Sequence, residues 1–238
     1  MKIKTIMANC SQEFFDSHSE IRRNMATKDI ELLVANIEKG PLSLESPVDE
    51  VFAGPYILKE VASAVNEGCD AVVIDCAADP VMRAARHVSS IPVVSAGEAS
   101  HHAAMMLCDK FSIVTTMAVS VPMFKENIAK YGYSNRVASI RAIELPVLAL
   151  EDIEKTFQAL CKTSEIAIEE DGAEVIVLGC TGMMETRDRL QEYLQIPVVE
   201  PLSIGIQYAA AMVNTNLRHS PICYIKASDS TVALIGDL

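Results

Sequence analysis

The chain has 238 residues, with 20 Lys plus Arg against 32 Asp plus Glu and a formal charge of −12. Its hydrophobic fraction of 50% is too high for a disordered chain and enough to fill a sizeable core. The acidic balance argues against a general nucleic-acid binder, which would carry a basic face. No apolar run reaches the ~18 residues of a membrane-spanning helix. Met1-Lys2-Ile3-Lys4 leads into a short apolar stretch that stops at Asn9. That pattern reads as a first strand, not a secretory leader, so the cytoplasm is the expected compartment. The seven cysteines include no pair at CxxC spacing. A disulfide framework or a zinc site is therefore not expected, and most of the thiols read as reduced core residues.

In chain order, strands are predicted at Ile3–Ala8, Ala71–Asp75, Pro92–Ser95, Ser112–Thr116, Glu174–Gly179 and Pro197–Glu200. Several are apolar at every position, as in Ala71-Val72-Val73-Ile74, the mark of a strand buried on both faces in a parallel sheet. Helices are predicted at Pro55–Glu67, Pro80–Val88, Glu98–Leu107, Pro122–Tyr131, Leu150–Asp171 and Leu202–Leu217. Gly68, Gly132 and Gly172 stand where helices should stop. The class is α/β. Gly40–Gly54, rich in Pro and Ser, reads as a loop that either overlies a cleft or is a plain surface connection. Ser220–Leu238 reads as a C-terminal strand or tail.

The chain also repeats itself. Gly68-Cys69-Asp70-Ala71-Val72-Val73-Ile74-Asp75-Cys76 lies over Gly172-Ala173-Glu174-Val175-Ile176-Val177-Leu178-Gly179-Cys180. Ile91-Pro92-Val93-Val94 lies over Ile196-Pro197-Val198-Val199, and Lys2–Ala8 more loosely over Lys110–Thr116. Units of about 100 residues are far longer than solenoid repeats. They point to two pseudo-symmetric lobes, each a parallel sheet flanked by helices, with a site between them. The expected division is 1–96 plus 206–238 for the first lobe and 97–205 for the second, the last helix returning to the first lobe. A shared glycine–strand–helix pattern is generic to such units, but a cysteine at the same strand end in both halves is not required by it.

Ligands of open parallel sheets bind beyond the carboxyl ends of the strands, where Cys76 and Cys180 stand. Asp79-Pro80 reads as an N-cap followed by proline at the first helical position, and Thr181-Gly182 can open a second helix. Helix N-termini would lower both thiol pKa values and could hold a carboxylate, imide or enolate oxygen. If the lobes face one another, so do the sulfurs. Inverting a carbon that bears an acidic hydrogen needs a base on one face and an acid on the other, alike because the reverse reaction exchanges their roles. A thiolate–thiol pair does this with each sulfur ~3–3.5 Å from the carbon. The alternatives are two inert buried thiols, a regulatory disulfide, or a cysteine–histidine site using His18, His87, His101, His102 or His219. Thr115, Thr116 and Thr181 offer hydroxyls at strand ends or serve only their turns. Cys10 reads as a wall residue; Cys69, Cys108, Cys161 and Cys223 read as structural.

At these residues the chain resembles the aspartate/glutamate racemase superfamily and, within it, the hydantoin racemase group, from the first strand to about Met212. Gly40-Pro41-Leu42-Ser43-Leu44-Glu45 followed by Asp49-Glu50 and Pro55 is similar to the family's GPxSIE…DE…P stretch. Cys76-Ala77-Ala78-Asp79-Pro80 is similar to CxxDP, Pro92-Val93-Val94 with Gly97-Glu98-Ala99 to PVVGxGEA, and Thr115-Thr116-Met117 with Ser120-Val121-Pro122 to TTL…SVP. Leu178-Gly179-Cys180-Thr181-Gly182-Met183 is similar to LGCxGM. Ala77-Ala78 and Gly182 replace the residues usual in the amino-acid racemases, which favours the hydantoin side. The resemblance implies a racemase or epimerase without cofactor or metal, Cys76 and Cys180 as the two bases, and a small carboxylate, amide or imide substrate. It implies substrate contacts from the residues after the first strand, here Asn9 and Ser11; Ala77, Asp79, Thr115, Thr116, Thr181 and Gly182 at the strand ends are the further candidate contacts, and a homo-oligomer with no nucleic-acid or membrane partner is expected. Met7 and Ala8 replace the Asn-Pro of the family's NPNxS stretch, and Ala118-Val119 stand where the family often has arginine. The missing arginine removes a fixed donor fork and leaves room for a differently substituted carbon acid. A decarboxylase or isomerase of the same superfamily, and a binding protein without catalysis, are the other readings.

Overall fold

The computed structural model describes residues 1–238. The first sheet is built from β1 (Lys2–Met7), β2 (Glu31–Asn36), β3 (Ala71–Asp75) and β4 (Val93–Ser95), all parallel, in the order β2-β1-β3-β4. The second repeats that order with β5 (Phe111–Thr115), β6 (Val137–Ala142), β7 (Val175–Leu178) and β8 (Val198–Val199), arranged β6-β5-β7-β8. The internal repeat thus corresponds to two four-stranded parallel sheets of one topology. The expected strands are all present. The two edge strands β2 and β6 are additions, because neither is apolar throughout: Glu31 is exposed and every residue of β6 is half-buried.

Helices cover both faces of each sheet. On the first, α2 (Pro47–Asn66) and α3 (Met82–Val88) bring Ile57, Val61 and Met82 onto Ile6, Val72 and Ile74. The opposite face carries α8 (Pro201–Asn214), whose Leu202, Ile206 and Ala209 pack on Ile3, Ala71 and Val73. On the second sheet, α6 (Ile153–Glu169) lays Leu160 and Ala167 against Val114, Ile176 and Leu178. Its other face takes Ala104 of α4 (Ala96–Leu107) and Phe124 and Ile128 of α5 (Val121–Tyr131). Ala99 of α4 also joins Leu202 and Ile206 of α8, so these two helices bind the sheets to each other. Burying a branched or aromatic side chain of this kind contributes about 1.5–3 kcal/mol.

Several local expectations are corrected. Helix α2 begins eight residues before Pro55, set by a capping box between Ser46 and Asp49 with Pro47 in the first turn, so the loop is confined to Gly40–Ser46. Two polar amphipathic helices, α1 (Gln12–Arg23) and α7 (Arg187–Leu194), lacked the apolar density to stand out. The C-terminal segment ends in a helix, α9 (Asp229–Gly236), which packs on α2. Asp79 does not cap the helix that follows it: α3 starts only at Met82, and Asp79 and Val81 adopt left-handed backbone conformations at φ 56° and 49°. No helix is long and apolar enough to cross a membrane.

Candidate active site

In each sheet the chain runs from its first strand to an edge and then returns to the other side of that strand. The reversal lies between β1 and β3, and again between β5 and β7. At such a switch point the outgoing loops diverge and leave a crevice beyond the carboxyl ends of the strands. The two crevices merge into one cavity, lined from the first lobe by Ala8, Asn9, Cys76 and Ala77 and from the second by Thr115, Thr116, Cys180, Thr181 and Gly182. The cavity volume is about 50 Å³. Ser43 and Leu44 of the Gly40–Ser46 loop complete its wall, and Glu45 of that loop accepts a hydrogen bond from Val147 N–H of the second lobe at 2.8 Å.

Both candidate cysteines are unpaired and half-buried on this cavity. Cys180 opens a short 3₁₀ turn, Thr181–Thr186, and its sulfur accepts from Gly182 N–H at 3.4 Å. Gly179 just before it is obligatory: a Cβ there would stand 2.8 Å from both Cα and Cβ of Thr115, because β5 and β7 converge at the site. Cys76 follows β3 and is faced by the N–H of Ala78. The expectation of lowered thiol pKa values is not met. Burial pushes Cys180 up to about 11, with the Gly182 N–H and the Arg22 guanidinium acting against it and Asp75 and Glu45 reinforcing it. Burial drives Cys76 further above the ordinary range, with Cys180, Asp79 and Asp75 adding to it and the Ala78 N–H opposing it. Two N–H groups do not replace the lost hydration of a thiolate.

The remaining expected residues divide in two. Asn9, Ala77, Thr115, Thr116, Thr181 and Gly182 line the cavity. Thr115 is partly committed, its hydroxyl lying 3.1 Å from Ser120 Oγ. Ser11 and Asp79 are buried and serve the backbone instead. Ser11 caps α1 by accepting from Phe14 N–H at 3.2 Å. Asp79 accepts from Gly97 N–H at 3.0 Å and Glu98 N–H at 3.3 Å, capping α4. Cys10 donates to the carbonyl of Gly40. Cys69 and Cys161 are buried, whereas Cys223 is exposed and packs no core. No histidine lines the cavity. His18 stacks on Phe14 and His101 bonds Tyr133.

Sequence reasoning missed an ion pair on the cavity. Arg22 and Asp75 both line it, and Arg22 Nε donates to Asp75 Oδ2 at 2.5 Å with the two side chains 1% and 0% exposed. Asp75 Oδ1 has no protein partner. The charged end of an otherwise apolar buried strand was the available signal for Asp75; nothing local marks Arg22, which is 53 residues away. Arg22 also lies over the ring of Phe14 at 5.8 Å, and the tip of that ring lies 3.7 Å from the Cβ position of Gly182. Helix α1 thus carries a guanidinium from the first lobe to the Cys180 turn.

A family model described as Asp/Glu/Hydantoin racemase matches residues 3–209. A hydantoin racemase of Pseudomonas sp. (strain NS671) is 34% identical over 223 residues, covering 93% of this chain and 90% of its own. A second, from Rhizobium meliloti, is 39% identical over 183 residues, 76% of each chain. Among solved structures, the allantoin racemase from Klebsiella pneumoniae superposes with a TM-score of 0.90 at 31% identity, covering 96% of this chain and 94% of its own. With the doubled parallel-sheet fold, these matches establish that the chain belongs to the Asp/Glu/Hydantoin racemase family and is an isomerase, a racemase of that superfamily.

Proposed function

We propose that this protein inverts a carbon acid next to a carbonyl by two-base proton transfer between Cys76 and Cys180, with a five-membered cyclic ureide of the hydantoin type as substrate. The observation that carries the reading is the common cavity. Two thiols at equivalent strand ends of two like lobes, each facing a backbone N–H, line one shared cavity. One sulfur, as thiolate, takes the ring α-proton and becomes a thiol. The other, as thiol, gives its proton to the opposite face and becomes a thiolate. No net charge or redox change results, and the reverse reaction exchanges the roles. The negative charge passes transiently onto the substrate carbonyl oxygen, to which Thr116 and Thr181 offer hydroxyl donors. A thiolate whose pKa has been raised by burial is a stronger base toward a weakly acidic C–H, at the cost of a small population near neutrality. The hydantoin and allantoin racemases similar to this chain favour the ring substrate.

The test uses L- and D-5-substituted hydantoins in deuterated water with the wild-type protein, Cys76→Ser and Cys180→Ser. Circular dichroism reads inversion and proton NMR reads exchange. Each single variant should lose inversion, and exchange without inversion should survive for one enantiomer in each. Full racemisation by either variant overturns the two-cysteine reading.

A further inference from the structure

We infer that Asp79 is a positioning residue for Cys76, tying the segment that carries this sulfur to the opposite lobe. The inference rests on the role proposed for Cys76. Its geometry is independent of that role.

The segment from Cys76 to Pro80 is held from three sides. From the fourth helix, Gly97 and Glu98 donate their N–H groups to Asp79 Oδ1 at 3.0 and 3.3 Å. From the second lobe, Tyr131 at the end of α5 donates its hydroxyl to Asp79 Oδ2 at 3.1 Å, and Asn127 Nδ2 of the same helix donates to Ala78 O at 2.7 Å. From within the segment, Asp79 N–H returns to Cys76 O at 3.3 Å while the N–H of Ala78 faces the Cys76 thiol. Asp79 is 4% exposed, and it lies beneath the cavity wall, not on it.

The backbone here would not hold this shape unaided. Asp79 and Val81 both sit at positive φ; aspartate tolerates that region, but a β-branched valine there is an outlier. Such strain persists only where the surroundings over-determine it. Gly97 belongs to the same arrangement. A Cβ at that position would stand 2.2 Å from Ala77 O and 2.4 Å from Asp79 Oδ1, so only glycine lets the start of α4 close on the segment. A plain helix cap requires neither Tyr131 nor Asn127. These two contacts cross between lobes and join the Cys76 segment to α5, whose Phe124 and Ile128 pack on Phe111 and Ile113 of β5.

The experiment compares Tyr131→Phe, Asp79→Asn and Asp79→Ala in the full-length protein. Site-resolved alkylation with iodoacetamide, read by mass spectrometry, gives the reactivity of Cys76 and Cys180 separately; steady-state kinetics on a 5-substituted hydantoin gives kcat and KM. Tyr131→Phe removes one cross-lobe hydrogen bond and leaves the cap of α4 intact. It should change the alkylation rate of Cys76 while leaving Cys180 unchanged, and lower kcat by roughly ten- to a hundredfold, with KM held within about twofold. Asp79→Asn keeps an oxygen for Gly97 and Glu98 and should retain more activity than Asp79→Ala. Equal changes at both thiols, or a lower melting temperature with Cys76 reactivity unmoved, would overturn the inference. Retained racemisation by Cys76→Ser would instead overturn the function proposed for that sulfur, and the alkylation of Cys76 in the Tyr131 and Asp79 variants would still test its positioning.

Discussion

Replacing Arg22 by Met should destabilise the protein by about 3–5 kcal/mol. The guanidinium is 1% exposed and is the partner of Asp75 Oδ2, while Asp75 Oδ1 has none. Without Arg22, a wholly buried carboxylate keeps no counter-charge. Breaking one side of a buried pair costs about 3–5 kcal/mol, most of it the orphaned charge. Urea denaturation of wild type and Arg22→Met at pH 7 measures it. Adding Asp75→Asn to Arg22→Met should recover part of the loss, since no buried charge is then left uncompensated. A deficit below about 1 kcal/mol for Arg22→Met, or no recovery in the double variant, would show that the two side chains do not depend on each other as a buried pair.

Further outcomes are expected. With Cys180 pushed up to about 11 and Cys76 higher still, kcat/KM for racemisation should climb through the alkaline range toward pH 11, and a plateau already reached below pH 8 would contradict the thiol environments. The same raised thiol makes stability fall between the ordinary value of 9.0 and about 11, because the folded chain holds a proton that the unfolded chain gives up; Cys180→Ser should make that part of a stability–pH profile shallower, the raised Cys76 thiol keeping a slope of its own. Gly179→Ala places a methyl group 2.8 Å from Thr115 Cα and should cost about 1–3 kcal/mol in denaturant titrations, as overpacking does. Ser46→Ala breaks the capping box of α2 and should lower stability by about 1 kcal/mol in the same titrations.

The parts of the fold legible in the sequence are those governed by short-range rules. A strand buried on both faces must be apolar at every position, so Ala71–Asp75 and Val175–Leu178 declared themselves. Edge strands and polar helices obey weaker rules. Glu31–Asn36 and Val137–Ala142 mix polar with apolar residues because one side of each meets solvent or a helix end. Gln12–Arg23 is mostly polar, and the few side chains it buries include Arg22 and His18. Pro55 lies inside α2, where a sequence reading takes proline as a helix start.

The chain order of residues by itself determined the two parallel sheets, their repetition, the two cysteines at matching strand ends and the family. Each of these is written within a few neighbouring residues or in the likeness of one half to the other. Which groups share the cavity, and what charge surrounds the sulfurs, follows from the packing of the two sheets and their helices. The Asp79 carboxylate turned from a cap of its own helix into the cap of the next one, because residues 18 positions away offered N–H groups that its own turn did not. The thiols rose in pKa where helix ends alone would have lowered them, since desolvation is set by the closing of one lobe on the other and outweighs a local N–H. Burial and long-range pairing are properties of the assembled volume. Arg22 therefore met Asp75 across 53 residues with nothing in either neighbourhood to announce it.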